Sequence, residues 1–139
     1  MGIDQVVHLR RARDLIDARY ADPLTLVDMA AVAGFSRYHF VREFRVAFGE
    51  TPAAYLSRRR VERAMDLLAH ANLTVTEVCM VVGFSSLGSF SRRFRELAGC
   101  SPSEYRDRAE PPAIPGCIAM AWSRPRPATL DKRTPPPEA

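Results

Sequence analysis

Apolar and polar positions follow one another along most of this chain at the three-to-four-residue spacing of an amphipathic helix. Phe40, Phe44 and Phe48 recur on one helical face, and Leu87, Phe90, Phe94 and Leu97 do the same further on, so both stripes are expected to be core. Read with the turn residues between the runs, this spacing predicts helices at about 4–20, 26–33, 37–48, 52–70, 75–82 and 86–98, with a short last helix starting at Pro102. No stretch reads as a strand. The expected fold class is all-α.

The seven phenylalanines fall in two clusters, which points to an internal repeat. AGFSRYHFVREFRVAFGETPAAYL aligns with VGFSSLGSFSRRFRELAGCSPSEYR, pairing Phe35 with Phe84 at an offset of 49. Phe40 then pairs with Phe90, Phe44 with Phe94, Gly49 with Gly99, Pro52 with Pro102 and Tyr55 with Tyr105 at an offset of 50, after one inserted residue. Thr25 with Asp28, Thr74 with Glu77 and Ser101 with Glu104 each set a hydroxyl three residues before an acid, the pattern of a capping box. Gly34, Gly49, Gly83 and Gly99 stand where helices must end or turn.

A short helix, a turn and a second helix, occurring twice, make a seven-helix bipartite domain with helix-turn-helix units at about 26–48 and 75–98. The 52–70 helix would join them, and at 1.5 Å per residue it is roughly 28 Å long, comparable with one turn of B-DNA. Eight of eleven prolines lie between Pro111 and Pro137, so the domain is expected to cover 1–109 and the Pro-rich tail 110–139 to be mostly disordered. Within that tail Ile118, Met120 and Trp122 are the residues able to cover an apolar patch on the domain or a partner.

Composition narrows the function classes. At 139 residues and a formal charge of +4 the chain tolerates a polyanionic partner without demanding one, and nineteen of its twenty basic residues are Arg. Cys79, Cys100 and Cys117 form no metal-type cluster with His8, His39 or His70, and no nucleophile stands with an orienting base. No metal, cofactor or enzymatic activity is expected. Cys79 reads as core and Cys100 as an inert thiol. No apolar run is long enough to span a bilayer, and the start has no secretory signal, so the expected location is the cytoplasm.

Gly83, Phe84, Ser85, Phe90, Arg92, Phe94, Gly99, Ser101, Pro102, Tyr105 and Arg106 stand at spacings that resemble the DNA-binding domain of the AraC/XylS family of bacterial transcription regulators. The resemblance covers about residues 5–107, with the first unit matching more loosely. It implies seven helices and a bipartite reader of double-stranded DNA, the third and sixth helices entering successive major grooves. The chain begins near the first of these helices, as in stand-alone members of the family. A fragment of a larger regulator lacking its sensor domain is the other reading, and a helical protein-interaction module is the alternative outside DNA binding.

Helical spacing sets Tyr38, Val41, Arg42 and Arg45 opposite the Phe40 and Phe44 stripe, and the resemblance implies base contacts for Tyr38, Val41 and Arg42. Arg42 would fork onto guanine; phosphate contact or an ordinary solvent-facing Arg are the alternatives. In the second unit Gly88, Ser89, Ser91, Arg92 and Arg95 are left for the groove. Arg92 matches the family's recurrent recognition-helix arginine, the alternative being an ion pair with Glu96. Gly88 departs from the longer polar side chain common there.

Phosphate contacts are expected from Arg37, Arg45, Arg59, Arg63, Arg93 and Arg95, and from helix N-terminal amides near Ser36, Thr74, Ser86 and Ser101. Basic support also comes from Arg58, Arg60, Arg106 and Arg108. The resulting expectation is a regulator, more readily an activator than a repressor, monomeric on an asymmetric DNA site and touching RNA polymerase, with no membrane partner.

Overall fold

A computed structural model of the chain describes residues 2–108; the 110–139 tail, with Ile118, Met120 and Trp122, lies outside the described residues. Among the described residues the fold is all-α, with α1 (Ile3–Arg19), α2 (Leu26–Ala33), α3 (Arg37–Phe48), α4 (Pro52–His70), α5 (Val75–Val81), α6 (Leu87–Ala98) and α7 (Pro102–Arg108). The chain divides after Arg60 into two compact units. The first holds α1 to α3 and the start of α4, and the second holds the rest of α4 with α5 to α7.

All three expected capping boxes form. The Thr25 hydroxyl accepts from the Asp28 N–H at 3.1 Å while the Thr25 N–H donates to the Asp28 carboxylate at 3.0 Å. Thr74 with Glu77 (3.0 and 2.7 Å) and Ser101 with Glu104 (3.1 and 2.9 Å) repeat the arrangement, satisfying amides that helix geometry leaves free. Gly49 and Gly99 end α3 and α6 at φ of 82°, a left-handed conformation that costs any side chain.

The sequence repeat is also a packing repeat. Phe40 and Phe44 meet edge to face with centroids 5.5 Å apart, and Phe90 and Phe94 meet in the same way at 5.7 Å. Phe44 packs on Tyr55 at 5.8 Å, as Phe94 packs on Tyr105 at 5.5 Å. All four phenylalanines are fully buried, each worth about 1.5–3 kcal/mol of transfer free energy. Each core also needs a supporting helix. In the first unit α1 buries Leu9, Ala12 and Ile16; in the second, α4 buries Val61, Ala64 and Leu68 at the same spacing, with a small residue at the middle position in both.

Several expectations are corrected. Leu97 is 38% exposed rather than core, and Ala98, the counterpart of Phe48, packs against the second core at that end of α6. Ser86 caps α6 instead of opening it, and α5 stops at Val81 with Val82 as its cap. α1 begins and ends one residue earlier than its apolar spacing implied.

Candidate nucleic-acid interface

The outer faces of α3 and α6 carry arginines at matching positions on matching scaffolds. Burial of Phe40 and Phe44 turns Tyr38, Arg42 and Arg45 outward on α3, with Tyr38 78% exposed and Val41 half-buried beside them. Burial of Phe90 and Phe94 likewise turns Gly88, Arg92 and Arg95 outward on α6, with Ser89 exposed and Ser91 half-buried. Each set follows the i, i+4, i+7 spacing of a single helical face. Arg42 and Arg92 are counterparts at the repeat offset of 50.

The helix starts separate into two kinds. α2, α5 and α7 each hold a carboxylate of their own on the N-terminal amides, from Asp28, Glu77 and Glu104. Hydrogen bonding to Thr25 and to Ser101 holds Asp28 and Glu104 below the usual carboxylate range. α3 and α6 are capped by neutral hydroxyls instead, Ser36 accepting from the His39 N–H at 3.2 Å and Ser86 from the Ser89 N–H at 3.1 Å, with no acid in either first turn. The positive end of the backbone dipole is therefore left without a carboxylate on α3 and α6, as on α4 behind its Thr51 cap, but is occupied by one on α2, α5 and α7.

Two of the expected phosphate positions are already held by carboxylates. Ser101 is only 5% exposed, with its hydroxyl and amide both turned to Glu104, and at Thr74 the Glu77 carboxylate would repel a phosphate. Arg59 is also turned inward: its Nε donates to Asp17 at 3.1 Å, and the same Asp17 oxygen accepts from the Tyr55 hydroxyl at 2.6 Å. Burial first, and Asp17 next, push the Tyr55 phenol up to about 12.

The neighbouring connector arginines serve the first unit's scaffold as well. Arg58 grips Glu50 through Nε and Nη2, and Arg60 donates to the backbone carbonyls of Tyr20 at 2.6 Å and Asp22 at 2.9 Å. Burial lowers the pKa of Arg60. Arg106 donates to the carbonyl of Leu73. Arg63 pairs with Asp66 at 2.7 Å on an exposed turn of α4. A run of Arg on a helix thus looked like a phosphate stripe because sequence does not show which carboxylates and carbonyls fold back onto it.

The alternative partner expected for Arg92 goes elsewhere, since Glu96 pairs with Arg93 at 3.2 Å. Arg92, Arg37 and Arg45 are exposed and form no ion pair among the described residues. Arg42 is more constrained. Its guanidinium carbon lies 5.6 Å from the Tyr38 ring centroid and its Nε lies 3.6 Å from Glu43 Oε2. His39, stacked on Phe35, reaches the same Glu43 oxygen at 3.6 Å. Glu43 and His39 were missed in the sequence; an acid next to Arg42 and four residues after a His was the available signal.

The thiols of Cys79 and Cys100 are buried. Cys79 is the counterpart of Ala30 at the offset of 49, is buried, and sends its Sγ 3.7 Å from the Ser86 carbonyl, and burial pushes its thiol pKa up. Among the described residues no group of His, Cys, Asp and Glu is arranged to hold a metal, and no helix is long and apolar enough to cross a membrane.

A family model described as a helix-turn-helix domain matches residues 29–108. The HTH-type transcriptional activator AarP of Providencia stuartii is 35% identical over 91 residues, which make up 66% of this chain and 67% of that protein. The probable transcriptional regulator LumQ of Photobacterium leiognathi is 32% identical over 91 residues, covering 37% of its length. The chain thus spans two thirds of one relative and little more than a third of the other. Among crystal structures, the DNA-binding domain of AdpA in complex with a target DNA superposes with a TM-score of 0.68 at 31% identity, over 72% of this chain and 90% of that one. A probable AraC family transcriptional regulator from Rhodopseudomonas palustris gives 0.69 at 33% identity, over 76% and 99%.

Proposed function

Because the chain belongs to the AraC/XylS-type family of helix-turn-helix transcription regulators, we propose that it is a sequence-specific DNA-binding regulator reading a bipartite duplex site. α3 reads one half through Arg42, Tyr38 and Val41, and α6 reads the other through Arg92, with Ser89 and the exposed backbone at Gly88 beside it. Arg37, Arg45, Arg93, Arg95 and the N-terminal amides near Ser36 and Ser86, which no carboxylate occupies, take phosphates, and Arg63 adds a weaker contact from α4. The observation that supports this most is the recurrence of one exposed arginine at one position of two helices whose first turns carry no acid.

The two halves differ in sequence, so the site is asymmetric and one copy of the chain suffices to bind it. Binding in the cytoplasm and contact with RNA polymerase through an exposed surface would make the protein an activator. A titration of labelled random-sequence duplex between about 50 and 200 mM salt tests the class of partner. A steep linear fall of log affinity with log salt is expected, whereas absent or salt-insensitive binding overturns the reading.

A further inference from the structure

The duplication supplies an internal control for Arg42. Arg42 and Arg92 occupy equivalent positions on equivalent helices, but their surroundings differ at three places. Arg42 has the Tyr38 ring on one side and Glu43 on the other, with His39 on the far side of that carboxylate. The counterparts around Arg92 are Gly88, Arg93 and Ser89, none of which offers a ring or an acid. The fold itself does not ask for an acid at Glu43: at that position the second unit carries Arg93, half-buried and paired forward to Glu96, on the same Phe90 and Phe94 scaffold.

An acid beside the face of a helix that meets phosphates is electrostatically unfavourable for affinity, a cost that the second unit avoids by carrying Arg93 at that position. Glu43 is 19% exposed in its side chain, against 59% for Arg42, and it faces the Nε of Arg42. The Nη pair, for which no carboxylate contact is formed among the described residues, is the end of the guanidinium that can fork onto the two acceptors of guanine. We propose that Glu43 is a positioning residue which aims Arg42 and withholds it from phosphates, so that the first half-site carries sharper base discrimination than the second. This rests on the DNA-binding reading of α3.

The test uses the full chain, a duplex selected from a random pool, and two derivatives of it. One has the base pair whose preference Arg42→Ala abolishes exchanged for another, and the second has the pair likewise assigned to Arg92 exchanged. Glu43→Gln, which keeps the side-chain size, is expected to lower the matched-to-exchanged affinity ratio at the Arg42 pair about five-fold. Affinity for the exchanged duplex should stay the same or tighten, and the ratio at the Arg92 pair should not move. Glu43→Asp, which retains the charge, should restore part of the ratio.

An unchanged ratio at the Arg42 pair overturns the proposal, as does an equal fall at both pairs, the mark of a loosened fold. If the unaltered chain selects no sequence at all, it is the DNA-reading function that fails; a selected site with a Glu43→Gln ratio unchanged fails the positioning role alone.

Discussion

The guanidinium of Arg42 lies over the ring of Tyr38, 5.6 Å from its centroid, whereas the same two positions fifty residues later hold Arg92 and Gly88. An arginine resting on an aromatic face has already given up part of the freedom it would lose on binding a base. On the proposed reading of DNA, Arg42 would therefore meet its base already resting on a ring, and Arg92 without one.

Tyr38→Ala should weaken binding to a matched duplex about three- to five-fold, the range of an exposed cation–π contact. Arg42→Lys should lose most of the base preference at the first half while retaining salt-dependent binding, since an ammonium keeps the charge and loses the planar fork. Competition between matched and base-exchanged duplexes checks both; full retention of preference by Arg42→Lys contradicts a forked contact.

Gly88 and Gly99 should respond to alanine with opposite signs. A Cβ built on Gly88 meets nothing within 4 Å and the residue lies in ordinary helical backbone, so Gly88→Ala should stabilise by about 0.5 kcal/mol. Gly99 also has room, but at φ of 82° its backbone resists a side chain, and Gly99→Ala should destabilise by about 1–2 kcal/mol. Urea midpoints at unchanged m-value give the comparison.

Much of this fold is legible in the sequence because its signals are local. The capping boxes at Thr25, Thr74 and Ser101 and the turns at Gly49 and Gly99 need only a few residues each. The Phe and Tyr repeat is legible because identical residues recur. The correspondence of Leu9, Ala12 and Ile16 with Val61, Ala64 and Leu68 is hidden, since it lies in spacing and burial rather than in identity. The fate of Arg58, Arg59 and Arg60 is hidden for another reason. Their partners Glu50, Asp17, Tyr20 and Asp22 lie eight to forty-two residues away, and only the fold brings them close.

Stability should fall at both ends of the pH scale. Asp28 and Glu104 have carboxyls held below their ordinary range by Thr25 and Ser101, so their contribution is complete above the unfolded carboxylate value and is lost as pH falls through the lower folded one. Asp28→Asn with Glu104→Gln should flatten the acid side of a plot of Tm against pH; an unaltered acid slope contradicts this.

On the alkaline side the Tyr55 phenol, ordinarily at 10.0, is pushed up to about 12, so the neutral form favours the folded chain. That contribution is complete below pH 10 and disappears as pH rises through about 12. Tyr55→Phe removes the bond to Asp17 and should cost about 1 kcal/mol at neutral pH. It should also remove the phenolate absorbance change that appears near pH 12 in the unaltered chain. A variant as stable as the parent would show that the bond contributes nothing net.

The most direct measurement of the central claim is sequence selection from random duplex by the unaltered chain, Arg42→Ala and Arg92→Ala in parallel. Two unequal half-sites about one helical turn apart should emerge for the unaltered chain. Arg42→Ala should erase preference in one half and Arg92→Ala in the other, each by about 1–3 kcal/mol. Selection of no motif, or loss of the same bases in both variants, would contradict two helices reading two halves.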